Sequence, residues 1–305
     1  MAERATTDEM AEFGVEVRSH WRLVLSRFAH HRLAVAAVVV LGVLVTVSFL
    51  GETLSGHRYD EVPLDADAPL SAPPSADHWF GTNELGVDVF SRVQRGAQRS
   101  IQVGFLIAVF ATTLGSLVGA VAGFYRGWVD TVLMRITDLF LTIPTLAVLI
   151  VVANRFRTSD NSWLAIVLVI SGLAWMGVAR IVRGVALSLR EREFVEAARA
   201  VGLPNRHIVV RHVLPNCLGP IIVAGTLAMA GGILAEAALS FLGFGIQPPD
   251  VSLGGLIAVG VPSAGERWWL FYPPGMFIVL FCLAINFIGD GLRDAFDPQQ
   301  TRVRA

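Results

Sequence analysis

Residues Phe194–Asn216 read FVEAARAVGLPNRHIVVRHVLPN and lie between two long apolar runs. The stretch carries Glu196, three arginines, two histidines, Gly202 and Pro204. Glu191–Val201 holds no helix breaker, and Phe194, Ala197, Ala198 and Val201 recur at i, i+3, i+4 and i+7, so a short helix with one small apolar face is predicted. Gly202 can take the left-handed turn that ends it. Pro204 suits the first turn of a second helix, Asn205–Val213, and Pro215 marks entry into the next apolar run. The product is a helix–turn–helix hairpin outside the hydrocarbon. Its small exposed alanines fit a close docking site in a partner's groove. The other reading is a hairpin on the lipid surface, with Arg199, Arg206 and Arg211 on anionic headgroups.

The flanking runs set the class. Apolar stretches cover Leu33–Leu50, Ile101–Phe124, Val132–Ala153, Trp163–Leu187, Leu218–Phe241 and Tyr272–Leu292. Each is near the ~20 residues needed to cross ~30 Å of hydrocarbon. Helices are expected, because backbone polar groups must be satisfied within each segment, and no barrel-like alternation occurs. The 305 residues are 54% hydrophobic and 16% charged, with a mean hydropathy of +0.60. The fold class read from the residues is therefore an all-α polytopic membrane protein with six transmembrane helices.

Charge placement orients the chain. Most of the 24 basic residues fall on the side of the N-terminus, so both termini are expected in the cytoplasm. Arg92, Arg95 and Arg99 run against this bias at the outer end of the second run. The chain then divides into a cytoplasmic amphipathic segment (1–32), a first span (33–50), an extracytoplasmic loop (51–99), a five-helix core (100–294) with the hairpin loop at 190–216, and a cytoplasmic tail (295–305). Arg18, Arg22, Arg27 and Arg32 alternate with apolar Trp21, Leu25 and Phe28 in the first segment, as in a helix lying on a membrane surface. The outer loop contains PLDADAPLSAPPSADHWFGTNELG, read as an extended segment turning into a short helix near Asp88.

Every basic residue is arginine; lysine is absent. That excludes a Walker A phosphate loop and Schiff-base chemistry in this chain. If nucleotide hydrolysis drives the protein, another chain performs it. Cys217 and Cys282 suggest neither disulfide nor metal ligation. The seven histidines are scattered, and His207 and His212, five apart, do not share a helix face well, so no metal site is expected. No catalytic residue set is recognised.

Three features inside the spans stand out. Gly115, Gly119 and Gly123 repeat at every fourth position and make one smooth face for close helix packing, within the subunit or against a moving partner. Arg135 and Asp138 share a helix face just before Pro144, as a local ion pair near the membrane surface or as part of a transport path. Glu236 sits deep in GGILAEAALSFLGFG and must face a hydrogen-bonding partner or a cavity, as a structural bond or as a contact on the path or gate.

The hairpin also resembles a known pattern. EAARAVGLPNRHIVVRHVLP is similar to the EAA loop of the membrane subunits of ATP-binding-cassette importers. Glu196, Ala197, Ala198, Gly202, Leu214 and Pro215 match it in register, and His212 stands at its isoleucine position. GTNELGVDVFSR, YRGWVDTVLMRITDLFLTIP and AALSFLGFGIQPP resemble the dipeptide/oligopeptide permease C-type subunits, with Asn83 and Val87 in place of the usual aspartate and arginine. The likeness covers roughly Trp79 to Pro298.

The resemblance implies a type I importer permease fold and an ATP-driven importer of di- or oligopeptides. It implies as partners a second permease subunit, two ATPase subunits that hold ATP and Mg, and an extracytoplasmic substrate-binding protein, with no cofactor on this chain; the net charge of −1 argues against a nucleic-acid partner. Phe194, Glu196, Ala197, Ala198, Gly202, Arg206, Leu214 and Pro215 would form the coupling contact with the ATPase. Nickel and glutathione importers use similar subunits. From other classes, an ion-gradient-driven transporter would need paired membrane acids or related broken helices, and a membrane enzyme would need a reactive set.

Overall fold

The computed structural model describes residues 20–63, 69–155 and 162–297. The start of the predicted N-terminal segment, with Arg18, and the end of the tail lie outside these residues. The described chain is nearly all helical, with a single isolated bridge between Thr82 and Asp88. In chain order the helices are α1 (His20–His30), α2 (Arg32–Ser55), α3 (Val89–Tyr125), α4 (Gly127–Thr142), α5 (Thr145–Arg155), α6 (Ser162–Arg190), α7 (Glu193–Ala200), α8 (Asn205–Ile208), α9 (Leu218–Phe241), α10 (Leu253–Gly260) and α11 (Tyr272–Phe296). A π-helical turn, Val209–Val213, and a further turn, Leu214–Asn216, join α8 to α9.

Five helices are long and apolar enough to cross a membrane: those holding Arg32–Gly51, Val89–Tyr125, Trp163–Arg190, Leu218–Phe241 and Trp268–Phe296. The third apolar run, expected as one straight span, is instead the pair α4 and α5, bent by 82°. Pro144 causes the break. It has no N–H for the ladder and forces the residue before it out of the helical region. Ile143 is accordingly extended, at φ −81° and ψ 133°.

The short helix expected near Asp88 is not separate. It is the first part of α3, which runs 37 residues, or ~55 Å at 1.5 Å per residue, well beyond the hydrocarbon thickness. Asp88 caps it, with Oδ1 accepting from the Ser91 amide at 2.7 Å. A carboxylate here satisfies an amide that has no partner within the helix.

α3 is the central helix and packs most extensively against α6. The glycine stripe makes that packing close. A Cβ on Gly115 would lie 2.6 Å from the Trp175 carbonyl oxygen, one on Gly123 would lie 2.7 Å from that of Arg183, and one on Gly119 would strike the Ala179 carbonyl oxygen. The partner of the stripe is thus α6 of the same chain.

Three buried clusters follow the length of α3. Near its N-terminus, Val93 and Ala97 meet Ile233 of α9, Leu253 of α10 and Phe281 of α11. At mid-length, Val103 and Ile107 meet Leu149 of α5 and Ile166 of α6. At its C-terminal end, Ala120 and Phe124 meet Val182 and Ala186 of α6 together with Val195, Ala198, Ile208 and Val213 of the hairpin region. The hairpin is therefore fastened by a core of its own at one end of the molecule.

Candidate functional site

The hairpin is built from a short helix, a glycine turn and a π turn. α7 ends in two backbone bonds, Gly202 N–H to the Arg199 carbonyl at 2.9 Å and Leu203 N–H to the Ala198 carbonyl at 3.1 Å. This is the Schellman pattern, which needs a left-handed residue at the turn. Gly202 supplies it at φ +80°, and a Cβ there would meet open space. Only the backbone conformation demands glycine at this position.

The face of α7 differs from the one the spacing predicts. Val195 and Ala198 are buried against α3 and α6, whereas Phe194, Glu196, Ala197 and Val201 are exposed. Of the two alanines expected to face a partner, only Ala197 is exposed. Val195, which sequence reasoning passed over, shares its face with Ala198 and bears on the chain's own core. The i, i+3, i+4, i+7 count selected the outer stripe because the inward stripe of an eight-residue helix holds only two apolar residues.

Behind the turn, the hairpin is wired to the spans. The Arg190 side chain donates to the Phe124 carbonyl at 2.8 Å, the Arg199 guanidinium lies over the Phe124 ring at 5.1 Å from its centroid, and Arg126 pairs with Glu191 at 2.9 Å. Arg206 and Pro215 are exposed, and Leu214 is partly buried. Leu214 and Pro215 line a groove of about 350 Å³ with Thr112, Ser116 and Leu117 of α3. The π turn adds one residue to the helical repeat and so brings His207 and His212 together, with ring centroids 6.2 Å apart. Five-residue spacing would separate them on an α-helix.

The α4–α6 contact carries the ionisable residues of the third run. Asp138 does not pair with Arg135, as a local pair would require; its partner is Arg180 of α6 at 2.5 Å, and Arg135 is exposed. Asp130 takes both nitrogens of a bidentate grip from Arg183, at 2.5 and 2.7 Å. Arginine's planar fork matches a carboxylate in this way. These bonds clamp α4 to α6 near the hairpin end.

At the opposite end, Glu236 is fully buried. Ser240 Oγ donates to its Oε1 at 2.7 Å, and Ser100 Oγ of α3 donates to its Oε2 at 3.0 Å. The carboxyl thereby bridges α9 to α3. Ser240 Oγ in turn accepts from the Ile246 amide at 3.2 Å, so the same cluster shapes the chain after α9.

Close by, Asp250 receives Arg95 Nε at 2.8 Å and also Arg99 Nε. The Arg95 guanidinium covers the Tyr59 ring at 4.9 Å and that of Arg99 covers the Trp163 ring at 4.7 Å. This clasp explains two of the three outer arginines that oppose the charge bias: one carboxylate and two aromatic faces hold them. Asp250→Asn is expected to lower stability by about 2 kcal/mol, since two arginines lose their common counter-charge in a partly shielded site. A thermal-unfolding shift of the purified chain measures it, and an unchanged transition would show the clasp to be energetically idle.

Comparisons with known proteins bear on these arrangements. Residues 82–302 match the family described as binding-protein-dependent transport system inner membrane component. Residues 19–74 match the N-terminal TM domain of oligopeptide transport permease C. The oligopeptide transport system permease protein OppC of Mycobacterium tuberculosis H37Rv is 43% identical over 289 residues, 95% of this chain and 98% of that one. The dipeptide transport system permease protein DppC of Bacillus subtilis 168 is 38% identical over 283 residues, 92% of this chain and 85% of that one. Among solved structures, a chain of the MetNI methionine ABC transporter in an inward-facing form aligns with a TM-score of 0.55 at 21% identity, covering 67% of this chain and 95% of that chain.

Proposed function

This chain belongs to the family of binding-protein-dependent transport system inner membrane components, and we propose that it forms half of the translocation path of an importer for di- or oligopeptides. Family membership makes it a multi-pass permease subunit of an ABC importer with the type I fold. The finer assignment covers the cargo, the partners and the role of the hairpin. Peptide cargo is supported by the names of the relatives, OppC and DppC, at 43% and 38% identity over nearly the whole chain.

The partners are a second permease subunit, two ATPase subunits that bind ATP and Mg, and an extracytoplasmic binding protein. Both termini and the hairpin lie in the cytoplasm. The observation that carries the coupling role is the two-sided character of α7. One side, Val195 and Ala198, is locked into the core beneath α3 and α6. The other, Phe194, Glu196 and Ala197, is exposed, an acid flanked by one aromatic ring and one small side chain.

A helix anchored on one side and free on the other passes a push from a docked ATPase to the spans. ATP then biases an inward–outward equilibrium by binding one state better than the other. The Arg190, Arg199 and Phe124 contacts are the route by which α7 moves the end of α3. Glu236 and the Asp250 clasp hold α3, α9 and the outer loops together at the other end of the path.

Removing this chain from its host is expected to abolish ATP-dependent uptake of labelled di- to pentapeptides, and supplying it again to restore uptake. Affinity purification of the chain should bring down two ATPase subunits. Undiminished peptide uptake with loss of nickel or glutathione uptake would overturn the cargo assignment.

A further inference from the structure

The outer loop brings together a group of residues that the transport reading does not use. His57 lies two residues beyond the end of α2, and Asp77 and His78 lie in the turns before α3. One ligand atom from each of the three lies within 4.8 Å of the others. The two imidazoles stack, with centroids 4.6 Å apart. Twenty residues separate His57 from Asp77, so no local spacing in the sequence signals the group.

In each ring one nitrogen faces a hydrogen-bond acceptor, which leaves the other with its lone pair. His78 Nδ1 lies 2.9 Å from Asp88 Oδ2. A carboxylate only accepts, so Nδ1 is the donor and Nε2 keeps its lone pair. His57 Nε2 lies 3.2 Å from the Asp77 carbonyl, which likewise accepts, leaving the lone pair on Nδ1. Asp88 is almost wholly buried, and its other oxygen caps α3 through the Ser91 amide. A carboxylate holding the far nitrogen of a histidine is the arrangement that orients metal-binding imidazoles and raises their basicity.

We propose that His57, Asp77 and His78 form a binding site for a divalent transition-metal ion, Zn²⁺ foremost, with Asp88 as its orienting carboxylate. Two imidazoles and one carboxylate suit Zn²⁺ better than Ca²⁺ or Mg²⁺, which take oxygen ligands. Three protein ligands leave the fourth tetrahedral position to water. Ligands at about 2.0–2.2 Å from one ion stand roughly 3.3 Å apart, so atoms that now lie within 4.8 Å must close by up to about 1.5 Å. Asp77 is exposed and free to swing inward. A bound ion ties the end of α2, through His78 and Asp88, to the start of α3.

The test uses the full chain in detergent, purified without a polyhistidine tag and stripped with EDTA. Titration with ZnCl₂ alone is expected to show one equivalent bound and a raised unfolding temperature. Co²⁺ in place of Zn²⁺ is expected to give the visible absorption of a four-coordinate site. His57→Ala and His78→Ala should each weaken binding at least about tenfold, and Asp88→Asn, which still caps α3, about 10-fold or more. Each variant is compared by its gel-filtration profile and helical circular dichroism, and the Co²⁺ spectrum of the unaltered chain stands whether or not a variant folds. Absence of stoichiometric Zn²⁺ binding, or binding that well-folded His57→Ala and His78→Ala leave unchanged, overturns the proposal.

Discussion

Gly202→Val is expected to leave the protein in the membrane at normal levels while lowering ATP-driven uptake at least about tenfold, the effect of only ~1.4 kcal/mol on a coupling equilibrium. The physical reason is local. Gly202 stands at φ +80° in open space, so valine meets no clash but must adopt a conformation that β-branched residues avoid. Relief comes by unwinding the Schellman turn, which releases the bonds to Arg199 and Ala198 and tilts α7. In the proposed coupling role, the outer face around Glu196 would then meet the ATPase at the wrong angle.

Glu196→Lys tests the same contact from its surface. Glu196 is exposed in the first turn of α7, and its reversal costs the helix only ~0.3–1 kcal/mol through the dipole. The fold should persist and ATPase activity should continue without cargo movement. Reconstituted complexes, assayed in parallel for ATP hydrolysis and uptake, provide the measurement. Normal coupled uptake by both variants would remove the hairpin from the coupling role.

The second large effect lies at the α3–α6 contact. Gly119→Ala is expected to destabilise the chain by about 1–3 kcal/mol, and Gly119→Leu to prevent accumulation of folded protein. Any Cβ at Gly119 strikes the Ala179 carbonyl oxygen, a backbone atom that cannot turn aside, and Val182 and Arg183 close the space on the same side. The control is Gly177 on α6, where a Cβ meets nothing within 4 Å. Gly177→Ala should be neutral or stabilising by ~0.5–1 kcal/mol through helix propensity. Thermal unfolding of the full chain in detergent compares them. Equal transitions for the two alanine variants would mean that α3 and α6 are not held in this close packing.

Legibility varied with the range of the interaction. The long apolar runs were readable because hydrocarbon imposes its length on each segment alone. The Gly202 turn was readable because left-handed backbone is a property of one residue and its neighbours. The stripe of Gly115, Gly119 and Gly123 declared a close contact but not its partner, since a smooth face accepts any helix. The same limit applied to Asp138. Its neighbour Arg135 is three residues away on the same helix, yet Arg180 of α6 takes the bond.

Some departures came from backbone behaviour at single points. Pro144 was visible, but not that α4 and α5 meet at 82° on either side of it. The π turn at Val209–Val213 shifts the helical register by one residue and joins two histidines that α-helical counting keeps apart. On α7, burial of Val195 and exposure of Phe194 follow from where α3 and α6 lie, not from the spacing of apolar residues.

Composition and local pattern carry the membrane class, the run of apolar helices, the absence of a Walker A lysine, and the hairpin with its glycine turn. All of these rest on composition or on residues within one helical turn of each other. Packing alone establishes that α6 fills the glycine stripe, that Glu236 is held by Ser100 and Ser240, that Asp250 gathers Arg95 and Arg99, and that His57 meets His78. Each of those joins residues from separate segments, and their meeting depends on how the helices pack rather than on any local preference.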